Sequence, residues 1–366
     1  MARDEAFMSM ALAEAGKARF WASPNPHVGC VIAAGDTVLA RGFTQPAGGA
    51  HAEIMALNDC TDPRGATAYV TLEPCAHQGR TAPCVEALIA AGLERVVVAL
   101  QDPNPLVSGR GIARMREAGI KVDEGVCAER ARSELAGFLH RMQRGWGRVR
   151  LKLACSLDGR TAMASGESQW ITGPAARQDV QQLRAGSSVI VTGIGTVLAD
   201  DCALTVREAE LGLEGDALAR ALVRAPDRVV LDTQGRTPVG ARVLSSDART
   251  IIFTGEGQSP PSAAVHEVVA GGTGGLDLKA VLLALGEQGA NEILIEAGQT
   301  LAGAFVRSGL IDELVIYQAP RLLGKTAQPL LDLVIEELAE GIQLAYVSVS
   351  RLGADLRIIA SLQSAN

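Results

Sequence analysis

Aromatic residues are scarce in this chain of 366 residues: three Trp, three Tyr and six Phe make up 3%. Its cores must therefore be built from Ala, Val, Leu and Ile, which a 48% apolar fraction supplies. Long apolar runs are missing too. None approaches the roughly 18 residues that span a bilayer, which excludes an integral membrane helix. Arg3, Asp4, Glu5, Glu14, Lys17 and Arg19 interrupt the first segment, so no signal-peptide core is expected there. A basic excess is absent, with 34 Lys and Arg against 41 Asp and Glu and a net charge of −7. A nucleic-acid surface is therefore not expected. Seven cysteines is an odd count in a long chain, which argues for a reducing, cytoplasmic setting and against a disulfide framework. Repeats and low-complexity tracts are not visible.

On a prior of roughly 150 residues per domain, the length predicts two or three domains. The first part opens with an amphipathic helix carrying Phe7, Met10, Ala11 and Ala15 on one face. A hairpin (28–33 and 37–42) follows, then a helix (50–57), a strand (68–72), a helix (83–91), a strand (95–99) and a helix (111–118). This alternation reads as a layered α/β unit. Near 137–150 the chain becomes basic and glycine-broken, which places a boundary between a first domain, 1–145, and a second, 148–366. In the second, strands are expected at 149–155, 188–192, 228–231, 250–253, 292–296 and 313–317, and helices at 174–185, 277–288 and 300–308. The tail, 346–362, alternates like an antiparallel hairpin.

The strongest chemical signal is His51-Ala52-Glu53, then Pro74-Cys75, then Cys84. One imidazole and two thiolates supply three ligands of a tetrahedral zinc and leave the fourth corner to water. Glu53 is not needed as a ligand and is placed to shuttle that water's proton to a ring nitrogen and the leaving amine. The expected helix starts near His51 and Cys84 favour thiolate and hydroxide. H-x-E followed by P-C and a further Cys is the zinc nucleobase deaminase pattern, except that eight residues, Ala76–Pro83, separate the cysteines where two are usual. The insert must loop out, carrying His77 and Arg80, which suit an anionic substrate. His77 is a rival ligand but is assigned to the pocket. Cys30, Cys60, Cys127, Cys155 and Cys202 read as small buried hydrophobes. Asn25, between Pro24 and Pro26, reads equally as a base-edge reader or a plain turn.

The second half signals less clearly. Glu292–Glu296 followed by Ala297-Gly298-Gln299-Thr300-Leu301-Ala302-Gly303 reads as strand, glycine turn and helix start, which aims free N–H groups at a phosphate. Gly193-Ile194-Gly195 after the strand at 188–192 lacks the third glycine of a dinucleotide fingerprint. Either turn alone is more often a tight connection. Arg184 closes a helix and by itself reads as a solvated, dipole-matched charge.

Over nearly its whole length the chain resembles the bifunctional deaminase–reductase family of riboflavin biosynthesis. Residues 25–29, 51–53, 71–75 and 77–81 look like its deaminase half; 152–162, 196–207 and 296–303 look like its reductase half. The long Cys75–Cys84 spacing is this family's own. The resemblance implies a cytidine-deaminase-like α/β/α layered domain followed by a dihydrofolate-reductase-like α/β domain. It implies zinc on His51, Cys75 and Cys84 with Glu53 as proton shuttle, and NADPH as second cofactor. NADPH contacts would fall on Ala154, Trp170, Thr196, Asp200, Thr233, Gly298, Gln299, Thr300, Leu301, Ala302, Gly303 and Ala304. A phosphorylated pyrimidine would meet Asn25, His77 and Arg80 in the first half, and Lys152, Ser168, Arg184, Leu204, Arg207 and Glu296 in the second. Arg184 and Arg207 would pair with its phosphate, and Trp170 would offer a flat face. Nucleic acid and membrane are not expected partners; a homo-oligomer is. Gln299 and Cys202 stand where Pro is usual, and Ala76 and Ala82 replace common Ser and Pro. The competing readings are a nucleic-acid or free-nucleoside deaminase with an appended binding domain, and a scaffold that keeps zinc only for folding.

Overall fold

The computed structural model describes residues 2–76, 83–105, 107–245, 248–269, 271–272 and 275–363. The chain divides into two compact units. One runs up to Gly147 and takes in Ala219–Val223; the other comprises Arg148–Leu218 and the chain from Arg224 on.

The first unit holds strands β1 (Gly29–Ala34), β2 (Thr37–Phe43), β3 (Thr67–Val70), β4 (Arg95–Val98) and β5 (Lys121–Glu124) in the order β2-β1-β3-β4-β5. The β1–β2 and β1–β3 pairs are antiparallel, and β3–β4 and β4–β5 parallel. Its helices are α1 (Ala2–Lys17), α2 (Ala52–Asp59), α3 (Cys84–Ala90), α4 (Arg110–Glu117), α5 (Ala128–Glu134) and α6 (Ala136–Arg144). Two glycines show how closely helices approach the sheet. A Cβ on Gly29 would lie 1.9 Å from the Ala11 carbonyl oxygen in α1, and one on Gly42 would lie 2.2 Å from that of Ala52 in α2. Gly42 pairs with Cys30, and neighbouring residues of a strand face opposite sides. Hence α1 and α2 cover opposite faces, and the expected α/β/α layering is present.

Some elements escaped the sequence reading. β5 buries only Val122 of its four residues, a charged edge strand with no period to detect. Residues 141–144, in the basic stretch that marked the boundary, are the last turn of α6, which buries Phe138 and Leu139 and ends at left-handed Gly145. In α1 it is Met8 and Leu12, with Phe7, Ala11 and Ala15, that are buried, while Met10 is only half-buried.

The second unit is built on a nine-stranded sheet. In chain order its elements are β6 (Arg148–Ser156), β7 (Arg160–Ala162), α7 (Pro174–Ala185), β8 (Val189–Gly193), α8 (Ile194–Asp200), the first half of α9 (Gly215–Leu222, of which 219–222 fall in the first unit), β9 (Asp227–Leu231), β10 (Thr250–Thr254), β11 (Val265–Val268), β12 (Gly271–Gly272) and β13 (Gly275–Leu276). Then come α10 (Leu278–Glu287), β14 (Glu292–Glu296), α11 (Gln299–Arg307), β15 (Glu313–Ala319), β16 (Gln328–Pro329), β17 (Leu344–Leu352) and β18 (Asp355–Leu362). The sheet order is β11-β10-β9-β8-β14-β6-β15-β18-β17. The strands from β11 to β15 are parallel, and the tail hairpin β17–β18 adds antiparallel at one edge. β10 and β14 are buried at every position, as expected of parallel strands covered on both faces. β11 was missed, because three of its four residues are exposed and the fourth, Glu267, half-buried, so it has no core face.

Candidate active sites

In the first unit α2 starts immediately after His51 and α3 starts at Cys84, so both residues stand at helix N-termini with no side-chain cap. Cys75 is tied to the same place: the Cys84 N–H donates to its sulfur at 3.4 Å, and the Val85 N–H to its carbonyl at 3.3 Å. Cys84 thus stands beside Cys75 despite the long spacing. His51 Nδ1 lies 3.6 Å from Cys75 Sγ and 3.2 Å from Cys84 Sγ, and the three ligand atoms all fall within 4.8 Å of one another. Ligands at about 2.0–2.3 Å from a tetrahedral zinc stand about 3.5 Å apart. The donor set and its spacing fit zinc.

The electrostatics of this corner are those of groups competing for one proton. Hydrogen bonds from Cys84 hold Cys75 well below the usual thiol range against the opposing effect of burial, with the His51 ring adding to them. Cys84 is pushed up by Cys75 and by its own burial, and His51 is raised by its bond to Cys75. Glu53, two residues past His51 in the first turn of α2, is 4% exposed. Burial, helped by the nearby Cys75 sulfur, pushes its carboxyl up to about 7. Asn25 lies half-buried in the turn before β1, its N–H donating to the Ala22 carbonyl at 2.8 Å. His77 and Arg80 lie outside the described residues.

In the second unit a cavity of about 1310 Å³ opens at the C-terminal ends of the parallel strands, where open α/β sheets place their ligands. Its wall gathers Lys152 and Ala154 from β6, Thr196 and Asp200 from α8, Glu296 at the end of β14, and Gly298, Gln299, Thr300, Leu301 and Ala304 around the start of α11. Ser168, Trp170, Arg184, Leu204, Arg207 and Thr233 complete the expected set. The Gly298 N–H donates to Thr196 Oγ1 at 3.2 Å, which joins the starts of α8 and α11 into one wall. Gly298 caps α11 without a side-chain bond, leaving first-turn N–H groups for an anion. Gln299 Oε1 is buried with no partner. These donors, one orphan acceptor and the room suit a dinucleotide beside a second ligand. Leu204 is buried in the left-handed region at φ 51°, a strained backbone of the sort that clusters at ligand sites.

Four placements differ from expectation. Ala302 is fully buried and Gly303 packs on the chain at Asp332, where a Cβ would lie 2.5 Å from the carbonyl oxygen. Neither lines the cavity: as the fourth and fifth residues of α11 they lie on the helix face turned away from it. Arg184 is not solvated: Nε and Nη2 form a fork on Glu296 at 2.6 and 3.0 Å, and Nη1 donates to the Thr205 carbonyl at 3.0 Å. It is therefore committed to Glu296 and not offered as a phosphate fork. Burial would raise Glu296, but Arg184 and Lys152, the latter at 3.4 Å, outweigh it and hold the carboxyl down at about 2. Trp170 is 54% exposed, with the Arg177 guanidinium 4.7 Å from its ring centre, so one face already carries a cation. Finally, 194–200 is a helix and not an open glycine turn. Sequence reasoning missed Arg236 and Arg242, both on this wall; isolated basic residues in loops carry no periodic signal.

Together these two sites define a two-part enzyme, a zinc-type deaminase unit joined to a dihydrofolate-reductase-like reductase unit. Residues 1–100 match the family described as the cytidine and deoxycytidylate deaminase zinc-binding region, and 148–358 match the RibD C-terminal domain. The chain belongs to the RibD riboflavin-biosynthesis family. It is 47% identical over 359 residues to riboflavin biosynthesis protein RibD of Escherichia coli K12, covering 97% of this chain and 98% of that one. The Haemophilus influenzae counterpart is 40% identical, with 97% and 96% covered. A solved structure of Acinetobacter baumannii RibD superposes with a TM-score of 0.90 at 42% identity over 99% of both chains. A Thermotoga maritima structure described as a diaminohydroxyphosphoribosylaminopyrimidine deaminase/5-amino-6-(5-phosphoribosylamino)uracil reductase gives 0.87 at 31%, also over 99% of both. The resemblance read from the motifs is borne out. No helix among the described residues is long and apolar enough to cross a membrane.

Proposed function

We propose that the chain catalyses two successive steps on one phosphorylated pyrimidine. The first unit hydrolytically deaminates 2,5-diamino-6-ribosylamino-4(3H)-pyrimidinone 5′-phosphate, releasing ammonia; the second reduces the ribosyl group of the product to ribityl with NADPH. One observation carries the first step: buried Glu53 beside a corner on which three ligands, His51, Cys75 and Cys84, converge among the described residues. A zinc kept only for folding has no use for such a carboxylate. Zinc, when bound, supplies a Lewis acid that makes water nucleophilic near neutral pH. Buried Glu53 would be placed to move two protons in turn, one from the water to the ring nitrogen and the second from the added hydroxyl to the leaving amine. Asn25, His77 and Arg80 are proposed to hold the substrate.

For the second step, Ala154, Trp170, Thr196, Asp200, Thr233 and the start of α11 are proposed to hold the dinucleotide, which when bound supplies the hydride. Lys152, Ser168, Leu204, Arg207 and Glu296 face the substrate. Arg184 keeps Glu296 ionised and oriented, while Arg207, exposed and ion-paired with Glu210 at 2.9 Å, is an arginine able to swing onto a phosphate. All seven cysteines are free thiols, which supports a reducing cytoplasmic setting; further copies of the chain remain the proposed partner. The deciding experiment is mass spectrometry of products from the diamino nucleotide with and without NADPH. Expected are the deaminated product alone without cofactor and a species two mass units heavier, by roughly one added hydride and proton, with it. Absence of ammonia release from metal-loaded protein overturns the first step, and failure to oxidise NADPH on the deaminated product overturns the second.

A further inference from the structure

Glu73 lies two residues before the ligand Cys75 and is 3% exposed. Its carboxylate is bound by backbone N–H groups. Oε2 accepts from the N–H groups of Asp102 at 3.1 Å and Gly109 at 2.9 Å, and Oε1 from those of Gly111 at 2.9 Å and Ile112 at 3.2 Å. Gly111 and Ile112 are the second and third residues of α4, whose N-cap Gly109 has no side chain to serve them. Glu73 therefore caps α4 from another element, and its charge sits at the positive end of that helix. The grip is mutual. The Glu73 N–H donates to the Leu100 carbonyl at 2.8 Å, and Gly111 presses on the next residue, where a Cβ would lie 2.2 Å from the Pro74 carbonyl oxygen. Proline limits rotation between this clamp and Cys75.

We infer that Glu73 is a positioning residue for the metal: by binding four backbone N–H groups it fixes Glu73-Pro74-Cys75 against α4 and sets where the Cys75 sulfur stands. Only an acceptor-only carboxylate can do this, since a glutamine would turn its NH₂ toward two N–H donors. The inference rests on His51, Cys75 and Cys84 being a zinc site.

The test uses the full-length chain, wild type, Glu73→Gln and Gly111→Ala, with zinc affinity measured by chelator competition and the visible spectrum recorded on the Co²⁺-loaded protein. Far-UV circular dichroism and NADPH titration monitor the fold and the second unit. In Glu73→Gln, zinc affinity is expected to fall about 10–100-fold and the sulfur-to-cobalt band to shift, with NADPH binding unchanged. Gly111→Ala alters no charge, yet should shift the same band by displacing Pro74, and it decides the matter where Glu73→Gln does not fold. Wild-type zinc affinity and an unshifted band in the folded variants overturn the inference and leave Glu73 a cap for α4 alone. A wild-type chain that takes up no stoichiometric zinc or cobalt sinks the metal reading first and this one with it.

Discussion

The two sites are built on opposite plans. The zinc corner draws its ligands from a short stretch, His51 to Cys84, and brings three atoms within 4.8 Å by starting two helices at the right residues. The reductase cavity is assembled from strand ends that are neighbours in space but remote in sequence: β8, β14 and β6 lie side by side and end at Gly193, Glu296 and Ser156. Its charges are settled internally, with Glu296 held between Arg184 and Lys152. A compact site of a few atoms can be spelled in short motifs. A broad one depends on the order in which strands pair, and substitutions there should act on stability as much as on chemistry.

The sharpest separation of the two plans comes from Glu53→Gln. Ammonia release should drop by about two to four orders of magnitude, with zinc content and NADPH oxidation on the deaminated product unchanged. Undiminished deamination would remove Glu53 from the mechanism. Next in size, Arg184→Ala leaves Glu296 buried with half its partners, and should destabilise the second unit by about 3–5 kcal/mol. Urea unfolding followed by loss of NADPH binding reads this, and an unchanged midpoint would mean the fork is ornamental.

The acid limb sharpens the same point. Glu296 is held at about 2 when folded against an ordinary 4.5, so the unfolded chain protonates first. Its contribution is complete above about pH 5 and is lost as pH falls toward about 2. Unfolding midpoints of wild type and Glu296→Gln at about pH 6 and about pH 3 should therefore converge on acidification. Parallel curves would assign the acid sensitivity elsewhere. The smallest effect belongs to Thr196→Val, which removes one hydrogen bond to Gly298. At about 1 kcal/mol this should weaken NADPH binding about fivefold by titration, and a change beyond about a hundredfold would mean Thr196 does more than brace the turn.

Legibility followed these plans. The pattern His51, Glu53, Cys75 and Cys84 announced its chemistry because each residue type is rare there and the chemistry needs all four. By contrast Arg184, last-turn in its helix, looked like a solvated charge; only the pairing of β14 with β6 and β8 brings Glu296 within 2.6 Å of it. Gly303 looked like part of a phosphate turn, but helical rotation directs it onto Asp332. Glu73 was read only as a letter of its motif, because its four partners lie 29–39 residues away.

From its residues alone this chain determines two α/β units, a thiolate–imidazole metal corner and the carboxylate beside it, since periodicity and local ligand chemistry are properties of short segments. Which arginine is buried against which acid, which turns share one wall, and what holds Cys75 in place were decided by the fold, because such contacts exist only once distant strands and helix ends have been packed together.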